Sequence, residues 1–435
     1  YPKNTEFVTT NGTPRSNKHA PSGMAKTISI GQQKLMQLLH NMFEEGFFMR
    51  KKRDTIQSNP YLTKKVIADK LIALRESIVT DIEKRYSNYL GIPFKGDHIR
   101  DLWDLGYLPI EVKILPEGIL VPMGVPIIYI KNTHKKFAWI TNFLETPMSN
   151  MLWKMGTAAS IAYLYKLVLL RAAVETDINN LDAVNFQAHN FSMRGMDGIE
   201  SASNVALGHD SSFFGDDTLT SLVDIEEFYD YEAPAVFSVN ATEHSVMCAG
   251  GAEPGDELAT FRHLMKQFPI GILSIVSDTW DLWEVLTNYL VVLKDEIMAR
   301  DGKIVIRPDS GNPVDIICGT GFNFDSKDSP ATPFDPECKG VIELLWDVFG
   351  GTINSQGYKV LDPHIGAIYG DAITIDRART IVEKLKIKGF ASTNIVLGIG
   401  SYTYQMNTRD TYGFAMKATH VVIDGVPKDI FKDPV

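Results

Sequence analysis

Cysteine is scarce in this chain: its 435 residues include only Cys248, Cys318 and Cys338. Their odd number excludes a complete disulfide framework and their spacing matches no metal-ligand pattern, so a reducing, cytoplasmic setting is the expectation. Positive charge is also in short supply. The formal net charge is −10 and no long basic run occurs, which argues against a nucleic-acid groove or a surface built for anionic membranes. The short cluster Arg50-Lys51-Lys52-Arg53 reads as solvated loop. No apolar run is clean enough to span a bilayer: the best stretch, residues 157–173, is interrupted by Lys166 and Arg171 and reads as a buried or amphipathic helix. Solenoid repeats and low-complexity tracts are missing as well.

What is present is 44% hydrophobic and 22% charged residues, enough to bury a substantial core in a chain longer than one average domain. The chain opens on Tyr1 and closes on FKDPV, which reads as the middle of a segment, so both ends are expected to continue. Residues 1–25 are rich in Asn, Thr, Pro, Gly and Ser and read as extended or loop. Helical spacing of apolar residues follows at 32–48 and 62–90, and short apolar runs alternate with Pro and Gly over 110–130, as in strands and turns. A Pro/Asp/Ser-rich stretch between Gly319 and Gly340 reads as a surface excursion.

The densest chemistry lies in IVIRPDSGNP at 304–313, where a β-branched strand ends in charged, hydroxyl and glycine residues. Arg307 supplies a fork of donors suited to phosphate, and Asp309 is close enough to serve the same ligand. The alternatives are a plain tight turn, because Pro308, Gly311, Asn312 and Pro313 all form turns, or an internal ion pair. The same strand-then-polar-turn grammar recurs at five further places: 183–195, 235–244, 272–281, 365–374 and 394–405. Most of these are followed by helix-compatible sequence, such as 377–388, and strands alternating with helices predict a parallel sheet. In a parallel barrel the carboxyl ends of all strands open on one face, where Arg194, His244, Asp278, Arg307, Asp309 and Asp371 would converge. The fold class expected is therefore α/β. An irregular parallel β/α-barrel-like domain over 146–404 would be joined to a smaller mixed α+β domain over 1–145, completed by 405–435.

These turns carry a resemblance. YPKNT at 1–5, FSMRG at 191–195, GDDT at 215–218, SVNATEH at 238–244, IVSDTWD at 275–281, IRPDSGNP at 306–313, YGDAI at 369–373, LGIGS at 397–401, QMNTRD at 405–410 and the closing FKDPV follow in one order along nearly the whole chain. In them the chain resembles the nicotinamide phosphoribosyltransferases of the type II phosphoribosyltransferase family. That resemblance implies displacement of pyrophosphate from phosphoribosyl pyrophosphate by the nicotinamide ring nitrogen, through an oxocarbenium-like transition state.

By the same resemblance, Arg194, Arg307 and His244 would neutralise the pyrophosphate. Asp309 would bind the ribose hydroxyls, and Asp278 would pair with His244 or assist a magnesium ion carried mainly by the diphosphate, without a dedicated protein metal site. Gly370-Asp371 and Gly400-Ser401 would cradle the 5′-phosphate with backbone N–H groups. Arg15, Arg409, Lys417 and Lys432 would reach the phosphates from the partner of a homodimer. Phe191 would stack on the pyridine ring and Asp217 would accept from the carboxamide, while repelling the carboxylate of nicotinate. His244 would be transiently phosphorylated by ATP, which stimulates turnover.

Read alone, Asp216-Asp217-Thr218 could be a helix N-cap, Phe191 a core residue, Gly370 the end of a strand and His244 a core histidine. Trp280 and Trp283 read as core. The chain departs from its relatives in two places. Their stacking tyrosine would lie upstream of YPKNT, leaving a one-sided sandwich here, and Gly400-Ser401-Tyr402 stands where they carry a glycine run. The alternatives kept open are a nicotinate phosphoribosyltransferase and a catalytically silent pyridine-nucleotide-binding protein.

Overall fold

The computed structural model describes the chain except residues 22–23, 45, 58–62, 232–234, 251–256, 322–334, 371–372 and 432–435. It divides into two compact units: Tyr1–His19, Ala25–Trp153 and Arg409–Val435 form the first, Ala20–Met24 and Lys154–Thr408 the second.

The first unit is built on an antiparallel sheet in the order Val426–Asp429, Ala415–Ile423, Thr5–Thr13, Ile128–Asn132, Ile110–Ile114. The strand IYIKN at Ile128–Asn132 alternates buried and half-buried residues, the period-2 signature of a one-sided strand. Its inward Ile128 and Ile130 pack with Leu35, Leu39, Met148, Leu152 and Met416. Asn132 is buried but satisfied: it accepts from Val8 N at 2.7 Å and donates to Glu6 O at 2.8 Å and His134 O at 3.0 Å.

The helical patterns at 32–48 and 62–90 appear as Gln32–Glu44, Phe47–Gln57 and Lys64–Leu90. The last starts at Thr63, whose hydroxyl accepts from Val66 N, and stops at Gly91, whose φ of +71° only glycine adopts cheaply. The basic cluster is a correction to the loop reading. Arg50 to Arg53 lie on the helix Phe47–Gln57, where Lys52 donates to Trp103 O at 2.9 Å and sits over that indole, while Arg53 donates to Glu44 O. Long basic stems lying on carbonyls and a ring are compatible with a helix, which charge alone did not signal.

The second unit holds a seven-stranded sheet in the order Gly215–Asp216, Ala188–Asn190, Ile395–Ile399, Ile365–Tyr369, Asp301–Arg307, Ile270–Val276, Asn240–Ala241. Every pairing in it is parallel. A parallel bridge from Gly215 to Phe237, with Asp216 N donating to Phe237 O at 3.1 Å, brings the two edges of the sheet together. The fold is thus α/β with a curled parallel sheet. All six strand-then-turn segments contribute a strand, and a seventh, Gly215–Asp216, lies where no apolar run announced it.

Two segments differ from their reading: in 235–244 the strand is Asn240–Ala241, beyond the apolar run 235–239, and in 183–195 it starts late. Residues 183–186 belong to the 3-10 helix Ile178–Phe186, and pairing starts only where Leu397 N meets Gln187 O. The neighbouring strand begins at Ile395, with Leu397 opposite Ala188, so residues 183–185 have no ladder to join. The apolar stretch 157–173 lies in the helix Ile140–Thr176. By length and composition this helix could cross a membrane, but 61% of its most apolar window is buried within the protein. Its Tyr165 is fully buried and donates to Ile373 O at 2.7 Å, as a core helix residue does. The excursion read between Gly319 and Gly340 lies largely outside the described residues, at 322–334.

Candidate functional site

The strand Asp301–Arg307 ends on Arg307, and the turn after it is tied down from both sides. Gly370 N donates to Pro308 O at 3.1 Å, Tyr369 Oη donates to Gly311 O at 3.0 Å, and Asn312 caps the helix Pro313–Cys318. Asp278, from the turn after the neighbouring strand, accepts from Asp309 N and Ser310 N, both at 2.7 Å through Oδ2. Its other oxygen lies 3.1 Å from His244 Nε2. A single buried carboxylate therefore holds three strand ends in register. The plain-turn reading of 308–313 is correct as far as it goes: the turn exists, and it aims two side chains.

Those side chains are Arg307 and Asp309. The Arg307 guanidinium lies 5.1 Å from the centre of the Phe191 ring, and its Nη1 reaches Thr242 O at 3.5 Å. Arg307 Nε and Asp309 Oδ1 are both shut off from solvent and have no hydrogen-bond partner. The two do not satisfy each other, so the internal ion pair weighed from sequence is not formed. They converge instead on Gly370: a Cβ there would stand 2.7 Å from Asp309 Oδ1 and 3.0 Å from Arg307 Nε. A guanidinium N–H and a carboxylate oxygen held buried and close without partners carry a desolvation cost.

A cavity of about 780 Å³ opens over this pair. Phe191, Arg194, Asp217, Arg307, Asp309, Gly370, Gly400 and Ser401 all line it, joined by Asn190, Met193, Thr242 and Glu243. His244 and Asp278 are not among its lining residues; Asp278 joins His244 to the Asp309 turn. Ser401 opens the short helix Ser401–Gln405, with Gly400 in the N-cap position.

Asp217 does not cap a helix. Its Oδ1 accepts from His189 Nε2 at 2.8 Å and from Ser238 Oγ at 2.5 Å. Burial pushes its carboxyl up, but the hydrogen bonds from His189 and Ser238 and the charge of Arg307 outweigh that and hold it below the usual range. It is thus kept as an anion. His189 in turn packs on Phe191 with ring centres 4.6 Å apart, and Gly215 leaves room for its imidazole. Sequence reasoning missed His189, Ser238 and Asn190. Position i−2 from Phe191 on a strand was a usable signal for His189, since alternate residues share a face.

Three residues implied by the resemblance belong to the first unit. Arg15 Nε donates to Gly413 O at 3.0 Å, Arg409 lies 3.6 Å from Asp410, and Lys417 is ion-paired with Glu145. Asp371 and Lys432 lie outside the described residues.

Comparison with known proteins accounts for this arrangement. Residues 186–435, more than half of the chain, match the nicotinate phosphoribosyltransferase (NAPRTase) family. A nicotinamide phosphoribosyltransferase of Acinetobacter baylyi is 43% identical over all of this chain and 82% of its own length. One from Mycoplasma pneumoniae is 41% identical over 75% of this chain and 68% of its own length. Among solved structures, human nicotinic acid phosphoribosyltransferase superposes with a TM-score of 0.53 at 14% identity, covering 98% of this chain and 72% of that one, a likeness of fold. The curled parallel sheet, the cavity at its strand ends and these sequence matches agree, and the chain belongs to the nicotinate phosphoribosyltransferase family.

Proposed function

We propose that this chain transfers the phosphoribosyl group of phosphoribosyl pyrophosphate to the ring nitrogen of nicotinamide, giving nicotinamide mononucleotide and pyrophosphate in NAD salvage. The observation that carries the reading is that Arg307 and Asp309, whose Nε and Oδ1 are buried without partners beside Gly370, both line one cavity. In the transfer, the pyridine nitrogen lone pair forms a bond to ribose C1′. The C1′–O bond to pyrophosphate breaks, and its electron pair leaves with the pyrophosphate. Positive charge grows on the ribose, which the Asp309 carboxylate favours, and negative charge grows on the leaving group, which Arg307 and Arg194 neutralise. Phe191 offers a ring for the pyridine to stack on, while Gly370, Gly400 and Ser401 supply close-approach backbone for the 5′-phosphate.

Asp217 decides between amide and acid. Held ionised by His189 and Ser238, it accepts from a carboxamide and repels a carboxylate. The family description names nicotinate, so the acid is the second reading. Steady-state assays with both bases separate them, and a kcat/KM favouring nicotinate would remove the amide assignment.

Magnesium fits as an ion brought in on the diphosphate. The described residues contain no cluster of three or more His, Cys, Asp or Glu side chains able to cage a metal, and both Asp278 oxygens are engaged in hydrogen bonds. Asp309 is the cavity-lining carboxylate that would share such an ion with diphosphate and water, and the bound ion would neutralise charge on the leaving pyrophosphate. His244 is accessible, and its Nε2 contact with Asp278 suits a tautomer that leaves Nδ1 as the nucleophile for the terminal phosphoryl of ATP. Incubation with γ-labelled ATP, with His244→Ala as control, tests that step. A homodimer with shared sites would place Arg15, Arg409, Lys417 and Lys432 against a neighbour's phosphates. Mixing Arg409→Ala with Arg307→Ala protein should then restore activity that neither has alone, and no restoration would argue against sharing.

A further inference from the structure

The residue before Asp217 has no part in the transfer just described, yet it is built into the same turn. Asp216 is 5% exposed, and its carboxylate accepts from Asn190 Nδ2 at 2.8 Å and from the backbone N–H of Thr218. Asn190 carries the connection onward. Its Oδ1 accepts from Ser192 N at 3.1 Å, and its backbone oxygen accepts from Asp217 N at 3.2 Å. The two turns that present Phe191 and Asp217 to the cavity are therefore fastened together through Asp216.

Asp210, the last residue of the helix Ile199–Asp210, meets Asp216 from the other side. Both of its carboxyl oxygens are shut off from solvent, and no protein N–H donates to them. The surrounding titratable groups offer no cation. His209 is fully buried, shares a hydrogen bond with Tyr404 Oη at 2.7 Å, and is pushed down to about 3 by burial, so it is neutral. Tyr404 is likewise buried and raised by burial, then by Tyr165 and the two aspartates. Two carboxyls in contact in such a place cannot both ionise. Burial first, and the Asp216 charge second, push Asp210 well above its usual range. Asp216 is raised less, because Asn190 and Thr218 hydrogen-bond its anion.

We propose that Asp210 and Asp216 share one proton, with Asp210 the neutral acid donating to the Asp216 carboxylate, and that this clamp sets the turn carrying Asp217. Asp210 is then a positioning residue for the choice of pyridine substrate. The selectivity part rests on the Asp217 assignment above; the proton sharing does not.

The test uses the whole chain in two arms. In the infrared arm, the wild-type minus Asp210→Asn difference spectrum at neutral pH shows the carbonyl band of a buried carboxylic acid; the contribution of Glu257, whose buried carboxyl is pushed up to about 7, is common to both and cancels. No band in that difference spectrum overturns the proton sharing. In the kinetic arm, Asp210→Asn keeps a donor to Asp216 and retains the wild-type ratio of nicotinamide to nicotinate kcat/KM. Asp210→Leu leaves the buried Asp216 anion without that donor, and raises the KM for nicotinamide about tenfold, the size expected for one hydrogen bond to a charged group, with kcat unchanged. Asp210→Ala serves where leucine does not fold. Equal KM values in the asparagine and apolar variants overturn the positioning role. If Asp217→Asn leaves selectivity unchanged, the pocket reading fails while the infrared band still decides the proton.

Discussion

Replacing Gly370 with alanine puts a methyl group in place of a hydrogen at the one point where Arg307 and Asp309 meet. The new Cβ would lie 2.7 Å from Asp309 Oδ1 and 3.0 Å from Arg307 Nε. Ordinary carbon contacts are wider, so the carboxylate must retreat by roughly 0.5–1 Å and the guanidinium by a few tenths. Both are side chains at a cavity wall, and Gly370 does not occupy the left-handed region, so the backbone itself is not strained. The fold should keep its stability to within about 1 kcal/mol. Catalysis should not survive as well, because a misplacement of about 1 Å costs on the order of 10²-fold, or about 2.7 kcal/mol in the barrier. The assay is initial rate of mononucleotide formation against phosphoribosyl pyrophosphate concentration, with urea unfolding of the same preparation. Gly398→Ala is the contrast: its Cβ would strike the backbone oxygen of Tyr369 at 2.6 Å, so it should cost stability instead. A Gly370→Ala enzyme within twofold of wild type would refute the claim that this glycine is the gap in which Arg307 and Asp309 work.

Asp217→Asn removes an anion held by His189 and Ser238, and should lower kcat/KM for nicotinamide by roughly 10- to 100-fold, the loss of one charged hydrogen bond, while that for nicotinate rises; an unchanged ratio would dismiss Asp217 as the selector. Phe191→Leu deletes the ring 5.1 Å from the Arg307 guanidinium, and a rise in nicotinamide KM of roughly 3- to 30-fold is expected, measurable by steady-state kinetics. Stability should also fall on acidification. The unfolded chain protonates His209 near its ordinary 6.5, whereas burial holds the folded group to about 3, so stability is full above 6.5 and is lost as pH drops through that window. The slope from this group reaches about 1.4 kcal/mol per pH unit, and His209→Gln should flatten it in urea titrations at pH 7 and pH 5. Asp210 acts with the opposite sign, since its raised carboxyl favours the fold at low pH and loses that effect as pH rises. It is common to both proteins, so their difference isolates the histidine.

The family description names nicotinate and the relatives are named for nicotinamide. On the proposed reading Asp217, with the histidine and serine that hold it ionised, would make that choice apart from the strand ends that carry Arg307 and Asp309.

Local pattern in the chain was sufficient for the four strands Ile270–Val276, Asp301–Arg307, Ile365–Tyr369 and Ile395–Ile399, for the helices Gln32–Glu44, Lys64–Leu90 and Ile375–Ile387, and for the polar turns that line the cavity. Each of these is written in a repeating period or a turn residue, which backbone geometry reads directly. Resemblance added roles to Phe191 and Asp217 that their own neighbourhoods did not declare. Other features had no local signal at all. The two-residue strand Gly215–Asp216 is made by its neighbours, and Thr5–Thr13 finds its partner in Ala415–Ile423 four hundred residues away. The His189 to Asp217 contact, the Asp278 bracket and the meeting of Asp210 with Asp216 likewise join side chains from separate segments. Only tertiary structure could decide them, because burial and the charge state of a carboxyl depend on what lies across space, and a linear pattern records only what lies along the chain.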